Sequence, residues 1–385
     1  MRRLKVMLVA GEASGDLNGS YLAKEILEQE PDTRLFGMGG PLMKEAGVRL
    51  LFNPTSISTI GFLEALRGVQ VLRRVLLKLG DVVDRQQPDV VVLIDFPGFN
   101  MRFAEILKRK GIPSVYYFSP SAWAWGRGRA EKVAETVTKV VAVWPFEYDV
   151  YKEAGADVEF VGHPLLDIVP DPLPKDEARG VLGLPKDEPL VALLPGSRRQ
   201  EIKVLLPIML RAVDLLRQKI PGVESAVAAA QTVSDDDFRR AAGDQWNRLH
   251  LVRGETYRVL SAADLAVVAC GTATLETALL GVPQVAIYRI SSSTYYVAKM
   301  IVRTPYIALP NIVAGREIIP ELIQHESTPE KIAAQLERIW QEDERRRIAS
   351  DYAEVRRKLG EGGAVAKAAR IVLEVAERAQ KAENR

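Results

Sequence analysis

A chain of 385 residues is long enough for two ordinary domains. With 47% hydrophobic and 26% charged residues it can bury a sizeable core, and a net charge of +2 excludes a general nucleic-acid binder. A single cysteine, Cys270, excludes an internal disulfide framework, and His163, His250 and His325 lie too far apart to suggest a metal centre. The first apolar run, Lys5–Ala10, is followed at once by Gly11-Glu12, so it reads as a buried strand and not a signal peptide. No stretch approaches the roughly 20 apolar residues of a spanning helix. The expectation is a cytoplasmic chain that can still touch a membrane.

Short apolar runs alternate with helical patterns. Lys5–Ala10, Val90–Ile94, Ser114–Phe118 and Val140–Val143 read as strands in the first half. Val191–Leu194, Val223–Ala228, Leu265–Val268 and Gln284–Tyr288 repeat the plan in the second. Continuous apolar runs mark strands covered on both faces, hence parallel sheets with helices between them. Pro170, Pro172 and Pro174 mark a linker, because proline continues neither a helix nor a central strand. Residues 1–168 are expected to form one α/β domain and 169–350 a second, with a cleft between them. The charged stretch 351–385 is expected to be helical and to pack back on the first domain. Ala364, Ala368, Ile371, Val372 and Val375 give it an apolar stripe at helical spacing.

Ligands of open parallel sheets sit outside the carboxyl ends of the strands, and four loops there stand out. Gly11-Glu12-Ala13-Ser14-Gly15-Asp16 follows the first strand and lacks the dinucleotide glycine pattern. It suits an anion or hydroxyl ligand at a helix start, or else an ordinary turn capped by Asp16. In the second loop Asp95 stands between Phe96, Phe99 and a strand end, as either a general base or a helix cap. In the third, Gly196, Ser197 and Arg198 can face a phosphate with backbone amides and a guanidinium. In the fourth, Gly271, Thr272 and Thr274 open a helix, with Glu276 one turn inside to accept ribose hydroxyls. For these last two loops the alternative is a plainly capped helix. Together they describe a nucleoside diphosphate site without a metal.

The stretch from Ile60 to Leu79 is amphipathic and basic. Phe62, Leu66, Val69 and Leu72 share a face, with Arg67, Arg73, Arg74 and Lys78 around it. Such a helix suits an anionic lipid surface or an acyl chain, or simply lies over the sheet. Trp123 and Trp125 offer interfacial aromatics beside arginines, or core residues.

Taken together, the chain resembles the lipid A disaccharide synthase family. The resemblance is carried in family order by Gly11–Asp16, Gly37–Gly40, Asp95–Asn100, Ser119–Trp125, Pro145–Glu147, Gly162–Pro164, Leu194–Arg198, Gly271–Glu276, Pro310-Asn311 and Ile319–Gln324. It implies a GT-B fold, two Rossmann-like parallel-sheet domains facing a cleft. It implies transfer of 2,3-diacylglucosamine from its UDP derivative to 2,3-diacylglucosamine 1-phosphate. The product is a β-1,6 disaccharide, made at the cytoplasmic face of the inner membrane without metal, cofactor or nucleic acid. It points to Glu12, Ser14, Asp95, Arg198, Glu276 and Asn311, and places UDP in the C-terminal half. Asp95 or Glu12 would be the base, and Ser14 would hold acceptor or sugar. Gly98 stands where a second acid is common in the family. Monomer and homodimer both stay open. The rival readings are a UDP-sugar epimerase of the same two-domain plan, which would need no second sugar and no lipid surface, and a non-catalytic nucleotide-sugar-binding module, which would keep the loops of the second half but would not need Asp95.

Overall fold

The computed structural model describes residues 2–54, 62–120, 128–289 and 305–383, the side chains of 62–70 and 383 excepted. By packing, the chain divides into Met1–Asp167 with Leu359–Arg385, and Ile168–Lys358.

In the first unit the described strands are β1 (Lys5–Ala10), β2 (Arg34–Met38), β3 (Arg49–Phe52), β4 (Val90–Ile94), β5 (Ser114–Tyr117), β6 (Lys139–Ala142) and β7 (Val158–Phe160). They form one sheet in the order β3-β2-β1-β4-β5-β6-β7, with every pair parallel. Alternation along β1 explains its unbroken apolar run. Val6, Leu8 and Ala10 enter one core, and Met7 and Val9 enter the other. The first core is closed by Leu22, Ala23 and Ile26 of helix Ala13–Gln29. It is also closed by Ala364, Ala368, Ile371, Val372 and Val375 of helix Ala364–Glu383. The second is closed by Val75, Leu79 and Val83 of helix Phe62–Gln86 and by Phe99 and Phe103 of helix Pro97–Arg109.

The second unit repeats the plan. Its described strands are β8 (Leu190–Leu194), β9 (Glu224–Ala229), β10 (His250–Arg253), β11 (Leu265–Ala269), β12 (Gln284–Tyr288) and β13 (Glu321–Ile323). Their order is β10-β9-β8-β11-β12-β13, again all parallel. Helix Glu342–Lys358 belongs to this unit, where Tyr352 donates to Val282 O. The unit boundary therefore falls at Lys358, beyond the 350 expected from composition.

Strands β2, β3, β7, β10 and β13 were not legible as apolar runs. Most are short or lie toward a sheet edge, and β2 carries Gly37, where a Cβ would stand 1.9 Å from Leu8 O. Close backbone approach requires glycine there, and glycine interrupts the pattern.

Both sheets reverse strand order once, between β1 and β4 and between β8 and β11. Ala10 pairs with Ile94 and Leu194 with Val268. The loops after each pair therefore start side by side, at the topological switch point where α/β sheets bind ligands.

One ionic cluster ties helix Lys175–Leu182 to the second sheet. Asp264 Oδ2 accepts from Arg179 Nη2 at 2.8 Å and from Leu190 N at 2.9 Å, and Oδ1 meets Lys175. Burial alone would raise the Asp264 pKa, but Lys175, the Leu190 amide and Arg179 outweigh it and hold the carboxyl below its usual range. Asp264→Asn should cost about 3 kcal/mol at neutral pH, because it leaves Arg179 buried without its partner. A depressed carboxyl stabilises the fold above its unfolded pKa and ceases to do so as pH falls through the folded one. Urea denaturation across pH should therefore show the variant and wild type converging in acid, below about pH 4.

Candidate functional site

The first switch point brings Ser14 and Asp95 together across the chain. Ser14 Oγ donates to Asp95 Oδ2 at 3.3 Å. Asp95 is not a helix cap: the N-cap of Pro97–Arg109 is Phe96, which makes no side-chain cap bond. Asp95 and Phe96 both have φ near +50°, a region that L residues with large side chains seldom occupy. Their surroundings hold them there. Asn100, wholly buried, donates through Nδ2 to Val9 O, Ile94 O and Asp95 O at 3.3, 3.2 and 2.7 Å. Tyr116 OH donates to Asp95 O at 3.0 Å. Gly11 lies against the Phe96 ring, where a Cβ would come within 2.1 Å. Burial raises the Asp95 pKa, opposed by the Phe96 amide and Ser14 hydroxyl. A carboxylate of raised basicity, still half exposed, has the chemistry of a general base.

Glu12 is the exposed N-cap of helix Ala13–Gln29. Asp16 proves to be structural. It is buried and accepts from the amides of Gly40, Leu42 and Met43 at 2.8, 3.1 and 3.0 Å, capping the next helix rather than its own. At Gly98 an added Cβ would meet nothing within 4 Å, so a larger residue fits there without repacking.

Two more ionisable groups of this unit lie below the surface. Glu147 is 2% exposed, and burial pushes its pKa well above the carboxylate range. His163 is held neutral by burial, its pKa lowered to about 3, and its Nδ1 accepts from Leu165 N at 3.1 Å. Trp123 and Trp125 lie outside the described residues.

At the second switch point the expected anion loop carries its own anion. Glu201 Oε2 accepts from the amides of Ser197 and Arg198 at 3.1 and 3.3 Å, and Oε1 meets Arg198 Nη1 at 3.2 Å. The Arg198 side chain is otherwise 81% exposed. Gly271 and Thr272 are exposed at the start of helix Thr272–Leu279. Thr274 is wholly buried and has no hydroxyl to offer a ligand. Its Oγ1 donates to Gly271 O at 2.8 Å and accepts from Leu309 N at 3.3 Å. Asn311 is likewise committed. Its Oδ1 accepts from Ile318 N and Ile319 N, and its Nδ2 donates to Ile319 O and Glu321 Oε1. With every bond of the amide used within the fold, Asn311 organises the loop before β13.

Glu276 lines a cavity of about 350 Å³ with Pro170 and the loop from Gly254 to Arg258. Its Oε1 accepts from Tyr257 OH at 2.8 Å. Tyr257 and the helix Thr256–Ala262 that carries it were not singled out from sequence. They follow β10, whose four residues gave no strand signal. Among the described residues no group of three or more His, Cys, Asp or Glu is arranged to hold a metal ion.

The amphipathic helix serves the core on one side. Leu72 is partly buried against the second core of its unit, beside Val75 and Leu79. Arg73, Arg74 and Lys78 are exposed, and Leu77 is 60% exposed among them. The side chains of Phe62, Leu66 and Val69 lie outside the described residues. No helix among the described residues is long and apolar enough to cross a membrane.

Glu201 predicts a charge effect at the anion loop. Glu201→Gln keeps an acceptor for the Ser197 and Arg198 amides while removing the negative charge. If this loop receives the phosphates of UDP, calorimetry should show UDP binding about three- to tenfold tighter, since one like charge a few ångströms away is worth on the order of 1 kcal/mol at a partly solvated site. Weaker binding would mean that the charge itself holds the loop in its binding shape.

A family model described as lipid-A-disaccharide synthetase matches residues 6–375. A lipid-A-disaccharide synthase of Geobacter metallireducens is 41% identical over 372 residues, covering 96% of this chain and 97% of that protein. One of Syntrophus aciditrophicus is 41% identical over 370 residues, with the same coverage of each. Among solved structures, the S. aureus MnaA-UDP co-structure aligns with a TM-score of 0.63 at 12% identity over 94% of each chain. That likeness is one of fold, shared with GT-B glycosyltransferases and epimerases. On the strength of the full-length sequence matches, the chain belongs to the lipid-A-disaccharide synthetase family.

Proposed function

We propose that Asp95 is the general base of the glycosyl transfer that this family performs, and that the Glu276 cavity takes the nucleotide. The enzyme is a glycosyltransferase of lipid A biosynthesis. In the proposed step the C6 hydroxyl of diacylglucosamine 1-phosphate attacks the anomeric carbon of UDP-diacylglucosamine. The bond from that carbon to the UDP oxygen breaks, and the hydroxyl proton passes to Asp95 Oδ. Attack opposite the leaving group inverts the anomeric centre and gives the β-1,6 linkage.

The observation that carries this reading is Asp95 itself. It is a half-exposed carboxylate of raised basicity on a locally strained backbone, hydrogen-bonded to Ser14 at a switch point. Ser14 orients the carboxylate, and Glu12, exposed two residues before Ser14, would contact a sugar hydroxyl. In the second unit Arg198, Ser197 and the exposed amides at Gly271 and Thr272 would stabilise charge on departing UDP. The S. aureus neighbour solved with UDP supports a UDP ligand for this fold.

We also propose that the outer face of helix Phe62–Gln86 meets the cytoplasmic face of the inner membrane, where the acylated substrates reside. Leu77 stands among Arg73, Arg74 and Lys78, apolar surface ringed by cations that suits an anionic bilayer.

Two outcomes are expected. Asp95→Asn should lower turnover, read as disaccharide by mass spectrometry, by about a hundred- to ten-thousandfold, with UDP binding unchanged. Wild-type turnover should rise as pH climbs through the raised pKa of Asp95. A carboxyl whose pKa is raised by folding destabilises the fold once ionised, so the variant should melt at or above wild type at pH 8. Turnover within about threefold of wild type, well below the general-base range, would pass the role to Glu12. For the membrane face, R73Q/R74Q/L77S should bind anionic phospholipid vesicles about tenfold more weakly or worse, while UDP affinity and melting stay put. Undiminished sedimentation with vesicles would leave this helix a plain cover for the sheet.

A further inference from the structure

We propose that Tyr257 is a positioning residue that makes the C-terminal cavity select a ribonucleotide, by fixing the carboxylate of Glu276 in one orientation. The inference rests on the reading that this cavity holds the nucleotide.

Two separate elements meet here. Tyr257 stands in helix Thr256–Ala262, and its ring packs against the core that holds Val259, Leu260 and Val268. The ring is anchored, so its hydroxyl has a fixed place. Glu276 comes from helix Thr272–Leu279, and its Oε1 accepts from Tyr257 OH at 2.8 Å. Oε2 has no hydrogen-bond partner among the described residues. Both side chains line the cavity of about 350 Å³, a volume suited to a nucleoside. The other charged groups lining it are Glu255 and Arg258, and these are paired to each other at 3.0 Å. Neither is left to neutralise Glu276.

A single carboxylate that could rotate would accept whatever donor arrived. Held through Oε1, it presents Oε2 in one direction, toward one donor position. A sugar hydroxyl placed there is bound by a charge-assisted hydrogen bond. A sugar lacking that hydroxyl leaves a half-buried carboxylate without its partner, which is the strongest form of discrimination a polar site offers. Tyr257 also favours the ionised form of Glu276, whose pKa burial would otherwise raise further. The ionised form is the one that accepts from a sugar.

The test uses the full chain, calorimetry, and two probes: UDP and 2′,3′-dideoxy-UDP, which lacks both hydroxyls. Wild type should prefer UDP by about tenfold or more, the range of a hydrogen bond to a charged group. Tyr257→Phe should melt with wild type and bind 2′,3′-dideoxy-UDP unchanged. It should lose UDP affinity severalfold, and that loss should deepen as pH falls, because Glu276 keeps its proton to higher pH without the tyrosine hydroxyl. A merely structural tyrosine would weaken both probes alike and show no such pH dependence. Glu276→Gln separates the two ideas. If it loses the preference for UDP while Tyr257→Phe keeps it at every pH, Tyr257 does not position Glu276, and the inference fails alone. If Glu276→Gln binds both probes as wild type does, the nucleotide lies elsewhere, and the inference falls with the reading beneath it.

Discussion

Parallel pairing of β1 with β4, Val6 opposite Val90 through Ala10 opposite Ile94, is the constraint on which the N-terminal site depends. It aligns the carboxyl ends of two strands separated by some eighty residues of chain. The loops that leave them then run to opposite sides, one into a helix on each face of the sheet. Among the described residues, Ser14 at that point is exposed and Asp95 is half buried, while the strands beneath are buried. Ser14 reaches Asp95 because of this geometry. Pairing of β8 with β11 does the same for the loops at Ser197 and Gly271.

Holding Asp95 in place costs free energy. Two successive residues at φ near +50° are each worth about 1–3 kcal/mol of strain. A carboxylate raised in pKa by burial adds to that cost whenever it is ionised. The compensation is local and visible. Asn100 bonds three carbonyls with one amide group, Tyr116 adds a second bond to one of them, Asp95 O, and Phe96 stacks on Phe99 with ring centroids 5.5 Å apart. The neighbouring residues over-determine the conformation, which is how a site keeps a strained backbone.

The C-terminal unit handles charge differently. The amides of its loop at Ser197 are satisfied internally by Glu201, and its Glu276 is satisfied on one side by Tyr257. Each group proposed here to meet a ligand is held by an internal partner that leaves part of its bonding capacity free. Such partial satisfaction orders a loop before the ligand arrives and lowers the entropy lost on binding. Asn311 and Thr274 show the opposite case. Their bonding capacity is used up inside the fold, and they support the site by fixing the backbone around it.

The sequence alone determined the two parallel sheets, because strands buried on both faces must be apolar throughout. It also singled out the loops after strand ends as candidates, while leaving capped helices and ordinary turns as alternatives there. It could identify Asp95, Arg198 and Glu276 as chemically apt. Motif and order together carried the family, now matched over residues 6–375. Only the tertiary structure decided how each polar group is occupied. Thr274 lies two residues beyond the exposed Thr272 yet is wholly buried, and a polar letter reads the same whether its bonds go to the chain or to a ligand. Asp16 caps a helix more than twenty residues away. Tyr257 joins Glu276 from across nineteen residues of sequence. Leu72 and Leu77 lie five residues apart on one helix, yet one packs on the sheet and the other is exposed. Hydrogen-bond saturation and burial are properties of three-dimensional neighbours, and neighbours this distant leave no local pattern in the chain.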